Sequence, residues 1–175
     1  MNGITYILGF LIDSDKLFDQ LYNTVEWDNR MMARKTASYG VAYNYSQMDY
    51  PYREFLPELR LVTEKIQENL GFLPNNCLIN YYPDGSSKMG FHSDQTDILE
   101  NDTGIVIVSL GATRILRFRN IANKELLVDY ALPAGSLIYM SQELQQHWVH
   151  AIPRVDAAGS RMSLTFRRIK SRLTD

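Results

Sequence analysis

The chain has 175 residues, 45% of them hydrophobic and 22% charged, and its 18 Lys plus Arg against 20 Asp plus Glu leave a net charge of −2. A chain of this size buries a core as one domain without disulfide or zinc support, and the near-neutral balance excludes a global attraction to polyanions. One cysteine, Cys77, excludes an intrachain disulfide framework and any multi-cysteine zinc or iron–sulfur site, and suits a reducing compartment.

The apolar start is interrupted by Asp13 and Asp15, too early for a signal peptide or a membrane span. The expectation is a cytoplasmic protein (nucleoid or nuclear where such compartments apply) with no membrane partner. Ser14 or Asp15 then caps a predicted helix running to Val25, with Leu17, Phe18, Leu21, Tyr22 and Val25 at helical spacing. Residues 31–50 are rich in tyrosine (Tyr39, Tyr43, Tyr45, Tyr50) and read as strand or loop. A second helix is predicted over Pro57–Leu70, with Leu59, Val62, Ile66 and Leu70 on one face. Gly71 stands where a left-handed helix end favours glycine.

From Asn76 onward the pattern changes to short strands: Cys77–Tyr82, Ile105–Leu110, Arg114–Arg119, Leu126–Tyr130, Ser136–Met140, His147–Ala151 and Arg161–Ile169. Pro83-Asp84-Gly85, Gly111, Pro133-Ala134-Gly135 and Pro153 punctuate them. Two helices followed by a run of strands define an α+β class: a sandwich or jelly roll with the helices outside one sheet. Three charge clusters stand out: Arg30, Arg34 and Lys35; Asp94, Asp97, Glu100 and Asp102; and Arg167, Arg168, Lys170 and Arg172. The ordinary reading of each is a solvated surface.

The chemistry-bearing feature is His92-Ser93-Asp94 followed by a distant histidine and then by Arg161 and Arg167. A His-x-Asp pair with one more His leaves half an octahedral iron open, and an arginine fork binds a carboxylate, so the set points to a non-haem Fe(II) oxygenase using 2-oxoglutarate. The tripeptide alone is common in proteins that bind no metal. Residues i and i+2 of a strand share a face, so His92 and Asp94 can converge, as can Asn80 and Tyr82. In Arg161–Arg167, Arg161, Ser163, Thr165 and Arg167 alternate with Met162, Leu164 and Phe166. That polar face either meets solvent or lines an anion pocket inside a jelly roll. His147 and His150 both compete for the third ligand position, and spacing does not choose between them.

Asn80-Tyr81-Tyr82, Pro83-Asp84-Gly85, His92-x-Asp94, Trp148-Val149-His150 and Arg161-Met-Ser-Leu-Thr-Phe-Arg167 together resemble the AlkB family of Fe(II)- and 2-oxoglutarate-dependent dioxygenases, which repair alkylated nucleobases. The resemblance runs from about Arg34 to Ile169, and Arg34–Gly40 with Tyr43-x-Tyr45 is similar to that family's nucleotide-recognition lid. It implies a single domain over 1–175, with helices and lid over about 1–75 and a double-stranded β-helix (jelly roll) core over about 76–170. It implies His92, Asp94 and His150 as iron ligands, and Arg161 on the distal carboxylate of 2-oxoglutarate. Arg167 then lies near the keto-acid end, and Asn80, Tyr82 and Thr165 contact the co-substrate. Tyr43, Tyr45, Arg34 and Thr96 fall on the substrate side.

The activity implied is oxidative demethylation of 1-methyladenine- or 3-methylcytosine-type bases in DNA or RNA by a monomer, consuming O₂ and releasing succinate, CO₂ and formaldehyde. The base must be single-stranded or flipped to reach the iron. Two positions depart from the family pattern: Thr96 stands where many repair members have an acidic residue, with Asp97 next to it, and Ser163 stands where asparagine is common. No apolar wedge for the base stack is evident. The competing readings are hydroxylation of a protein, nucleotide or small molecule by the same centre, and a non-catalytic binding module. The tyrosines also have a plainer role as half-buried strand residues, and Asn80 as a turn residue.

Overall fold

The computed structural model describes residues 1–31, 34–45 and 48–171. In chain order its elements are β1 (Ile4–Ile7), α1 (Ser14–Thr24), β2 (Lys35–Gly40), β3 (Tyr43–Tyr45), β4 (Met48–Tyr50), α2 (Pro57–Leu70), β5 (Asn76–Tyr82) and β6 (Met89–His92). They continue with β7 (Ile105–Gly111), β8 (Arg114–Asn120), β9 (Leu127–Leu132), β10 (Leu137–Met140), α3 (Leu144–His147), β11 (Trp148–Ile152) and β12 (Arg161–Arg167). Arg172 and the side chain of Tyr45 lie outside what is described.

The strands form a six-stranded sheet, β1-β10-β7-β12-β5-β2, and a four-stranded sheet, β6-β11-β8-β9, with β3 and β4 as a separate hairpin. Every pair is antiparallel. Side-chain alternation gives the larger sheet two different faces. Cys77, Ile79, Val106, Val108, Leu110, Met162, Leu164 and Phe166 point outward to one core, where they meet Leu17 and Leu21 of α1 and Leu59, Val62 and Ile66 of α2. Ile105, Ile107, Ile138 and Met140 point inward and meet Leu116, Phe118, Leu132 and Ile152 from around the smaller sheet. This is the expected jelly roll, with residues of α1 and α2 sharing the apolar cluster on one face of the larger sheet.

The helices form where their apolar periodicity places them. α2 starts at Pro57, whose missing N–H is lost at no expense in a first turn, and ends at Gly71, which has φ 83° and donates its N–H to Gln67 O. Leu21, Leu59 and Ile66 are fully buried, each stabilising the fold by about 1.5–3 kcal/mol relative to exposure. Gly40, at φ +84°, turns the chain out of β2 towards the β3–β4 hairpin, and a Cβ there would collide with the Asn75 carbonyl.

Several elements differ from the sequence expectation. In sequence the four residues of β1 are only part of an interrupted apolar start; pairing with β10 makes them a strand. With β2, which pairs with β5, it brings the stretch before residue 75 into the main sheet, so that stretch is more than helices and lid. Residues 144–147 form a short helix, α3, so β11 begins at Trp148 rather than His147. Among the described residues no helix is long and apolar enough to cross a membrane.

Candidate active site

The register of the smaller sheet creates the site. His150 of β11 lies directly opposite His92 of β6, and the pairing shifts just beyond it. The two rings approach to 4.4 Å between centroids. Asp94, two residues past His92, turns back into the same space, where its Oδ2 lies 3.3 Å from His150 Nε2 and its Oδ1 3.8 Å from His92 Nε2. One ligand atom from each of His92, Asp94 and His150 falls within 4.8 Å of the others.

The supporting contacts orient these groups. His92 Nδ1 is 2.8 Å from Gly90 O, which favours the proton on Nδ1 and leaves the Nε2 lone pair for a metal. The Asp94 backbone N–H donates to Gln145 Oε1 at 2.9 Å, so α3 anchors the loop carrying the carboxylate. Burial, and then the charge of His150, lower the His92 pKa from its ordinary value against the opposing hydrogen bond to Gly90 and the charge of Asp94. Burial alone would raise the Asp94 carboxyl. The hydrogen bond with His150 and the charges of Arg167, His150 and His92 outweigh it and hold the carboxyl well below the usual range.

Behind the cluster a cavity between the sheets is lined by Asn80, Tyr82, Arg161, Ser163, Thr165 and Arg167 on the polar side, with Leu78, Met89, Ile107, Leu116 and Ile152 completing it. Arg161 and Arg167, at opposite ends of β12, are both nearly inaccessible to solvent. Arg161 donates through Nη2 to Ser109 Oγ at 3.0 Å and lies over the Tyr82 ring at 5.3 Å. Arg167 Nη2 is 3.4 Å from Asp94 Oδ1, and its guanidinium lies over the Tyr43 ring at 4.8 Å. The Nε and Nη1 of both arginines are buried with no hydrogen-bond partner among the described residues.

Buried guanidinium donors left open in this way call for an anion with acceptors at both ends of the cavity. The residues present therefore fit a metal held by two histidines and one carboxylate beside a dicarboxylate.

The residues expected at the site divide into groups. His92, Asp94, His150, Asn80, Tyr82, Arg161, Thr165 and Arg167 all line this one cavity. His147 does not: it ends α3 and lines a different cleft with Met1, Gly3, Asn120 and Trp148. Arg34 is buried, donating from Nε to Asn80 Oδ1 at 2.9 Å, and is not among the residues lining the cavity. Tyr43 is buried with Tyr50 against Leu78, and it also borders an outer cleft with Asn44, Gln95, Asp97 and Lys170. Thr96 is half-buried in the loop after Asp94, its carbonyl accepting the Leu99 N–H, and is not among the cavity's lining side chains.

Ser109 and Gln145 were not foreseen. Ser109 carried a faint signal as the polar residue on the inward face of β7, whereas Gln145 carried none.

A jelly roll whose inward faces bring together a His-Asp-His cluster and two buried arginines with open Nε and Nη1 donors has the layout of an Fe(II)/2-oxoglutarate oxygenase. Residues 15–167 match the 2OG-Fe(II) oxygenase superfamily, and the chain belongs to it. Within that class it is AlkB-like. It is 31% identical over 180 residues to the Mus musculus DNA oxidative demethylase ALKBH2, covering 90% of this chain and 75% of that protein. It is likewise 31% identical over 179 residues to the Rattus norvegicus alpha-ketoglutarate-dependent dioxygenase alkB homolog 3, covering 91% of this chain and 61% of the relative. The solved structure of OsALKBH1 superimposes with a TM-score of 0.73 at 16% identity, covering 96% of this chain and 99% of that one, which shows the shared fold.

Proposed function

We propose that this chain oxidatively demethylates N-alkylated nucleobases of the 1-methyladenine and 3-methylcytosine type in DNA or RNA. The observation that carries the reading is the His92, Asp94 and His150 cluster opening onto a cavity where the Nε and Nη1 donors of Arg161 and Arg167 have no acceptor among the described residues. Of the two relatives described above, the one named a DNA oxidative demethylase supports demethylation of DNA, and the other, by its name, the use of 2-oxoglutarate.

His92, Asp94 and His150 hold the metal. Arg161 forks onto the distal carboxylate of 2-oxoglutarate, with Tyr82, Asn80 and Thr165 beside it, and Arg167 sits by Asp94 at the keto-acid end. When bound, iron(II) with 2-oxoglutarate and O₂ supplies the oxidation, yielding succinate and CO₂ and placing one oxygen atom on the substrate methyl carbon. The resulting N-hydroxymethyl group releases formaldehyde, and the ring nitrogen regains its ordinary bonding. The protein's part is to orient the methyl group and keep water away.

Arg34, Tyr43, Tyr45 and Thr96 form the substrate side, which receives a base from a single strand or one flipped out of a duplex. The whole of 1–175 acts as one domain and as a monomer. Its single buried cysteine suits the cytoplasm, nucleoid or nucleus as the place of action.

The test is a substrate panel: 1-methyladenine and 3-methylcytosine oligonucleotides, single- and double-stranded, DNA and RNA, with Fe(II), 2-oxoglutarate and ascorbate. Formaldehyde release and restored bases are expected. Turnover of 2-oxoglutarate without demethylation of any member would overturn the nucleic-acid reading and point to a protein, nucleotide or small-molecule target.

A further inference from the structure

Gln145 of α3 is only 6% exposed, an uncommon place for an amide that water would otherwise solvate. Its side chain reaches from the helix to the loop after β6, where Oε1 accepts the Asp94 backbone N–H at 2.9 Å. The other end of the amide, Nε2, meets the thioether sulfur of Met140 at 3.7 Å. The Asp94 N–H fixes which end of the amide faces the loop, since the amide nitrogen is a donor and offers it no acceptor.

The three metal ligands are not held alike. His92 and His150 are partners across the pairing of β6 with β11, so the sheet itself sets their separation. β6 ends at His92, and Asp94 stands beyond it, outside any strand. Its carboxylate contacts, to His150 and Arg167, engage the same oxygens that a metal would take. Its main chain is held instead by Gln145, with Ser93 Oγ donating to Trp148 O at 3.3 Å one residue earlier. Without that acceptor the partly buried N–H is left unpaired unless the backbone turns, and turning the backbone at Asp94 turns the carboxylate with it.

A second glutamine supplies an internal comparison. Gln142, in the turn leading into α3, donates from Nε2 to Glu100 O at 2.9 Å and to Thr103 O at 2.6 Å. The two side chains tie opposite ends of residues 94–103 to one short stretch of chain. Of the two, Gln145 is the one bonded to a metal ligand.

We propose that Gln145 is a positioning residue for the metal centre: by fixing the Asp94 main chain it aims the carboxylate at the point where His92 and His150 converge, and so sets the metal affinity. This inference rests on the ligand assignment above. Loss of a partner that orients a metal ligand lowers affinity by about 10–100-fold.

The experiment measures Mn(II) binding by calorimetry and thermal unfolding in EDTA on the same proteins. Gln145→Leu is expected to raise the Mn(II) dissociation constant at least about tenfold. Gln145→Glu, which keeps an acceptor oxygen at the same reach, is expected to bind no more than about threefold more weakly than the native protein. Gln142→Leu strips two hydrogen bonds from the same loop; it is expected to lower the unfolding temperature and to leave the Mn(II) dissociation constant within about threefold. A folded Gln145→Leu with native affinity would overturn the proposal. So would a Gln142→Leu that loses as much affinity as Gln145→Leu, or a glutamate variant as weak as the leucine one.

Should Gln145→Leu fail to fold, Gln145→Asn gives a second reading, because it keeps the amide and draws the acceptor back by about 1.5 Å. It is expected to weaken Mn(II) binding at least about fivefold, and native affinity would overturn the proposal. Native protein that takes no Mn(II), or Asp94→Ala that takes it as the native protein does, would remove the ligand assignment and this inference together. Native affinity in Gln145→Leu, with binding lost in Asp94→Ala, removes only the role of Gln145.

Discussion

Replacing Arg167 with methionine separates the metal site from the fold. Arg167 and Asp94 are 3.4 Å apart with side chains only 3% and 13% exposed, so the substitution strands a buried carboxylate. Breaking such a pair costs about 3–5 kcal/mol when no other partner exists. Asp94 keeps His150 at 3.3 Å, and methionine fills part of the vacated volume against Tyr43, so a loss of about 2–3 kcal/mol is expected in the metal-free protein. For a domain of this size that corresponds to a fall in melting temperature of about 4–12 °C.

A bound divalent cation takes over the neutralisation of Asp94, so the penalty is expected to shrink by half or more with saturating Mn(II). Thermal unfolding of the native and variant proteins in EDTA and in Mn(II) makes the comparison. A deficit of the same size in both conditions, or none in EDTA, would refute the coupling of Arg167 to the metal site through Asp94.

Other outcomes follow from the same geometry. His150→Ala is expected to abolish Mn(II) binding measured by calorimetry, while His147→Ala, altered in a different cleft, leaves the affinity within about threefold; the opposite pattern would reverse the ligand assignment. Arg161→Ala removes a forked charge-assisted contact and is expected to raise the 2-oxoglutarate requirement about 100-fold, from a loss of about 2.7 kcal/mol. An unchanged requirement would remove Arg161 from the co-substrate site. Cys77 is fully buried and burial pushes its thiol pKa up, so it is expected to resist a thiol-specific reagent in the native state and to react once guanidinium unfolds the protein. Rapid native-state labelling would contradict that burial.

The sequence carried the larger sheet's chemistry because that chemistry is local. The alternation of Arg161, Ser163, Thr165 and Arg167 with Met162, Leu164 and Phe166 needs only a period of two, and the structure turns those sets to the cavity and the helices respectively. Helix α2 was legible to the residue because Pro57 and Gly71 mark both ends.

The choice of His150 over His147 was not readable from spacing, since it depends on where α3 ends and on the pairing of β11 with β6. Gln145 carried no signal, because its partner Asp94 lies 51 positions away. Arg34 and Tyr43, expected on the substrate side, also make interior contacts to Asn80 and Arg167. Those contacts arise from the packing of β2, β3, β5 and β12, and no single segment encodes them.

The central claim is that this His-Asp-His centre couples consumption of 2-oxoglutarate to removal of a methyl group from a nucleobase. The most direct measurement quantifies succinate and restored base in one reaction on a single-stranded oligonucleotide carrying 1-methyladenine or 3-methylcytosine. Equal molar amounts are expected with the native protein and neither product with Asp94→Ala. Succinate without restored base, or restored base undiminished in Asp94→Ala, would contradict that coupling.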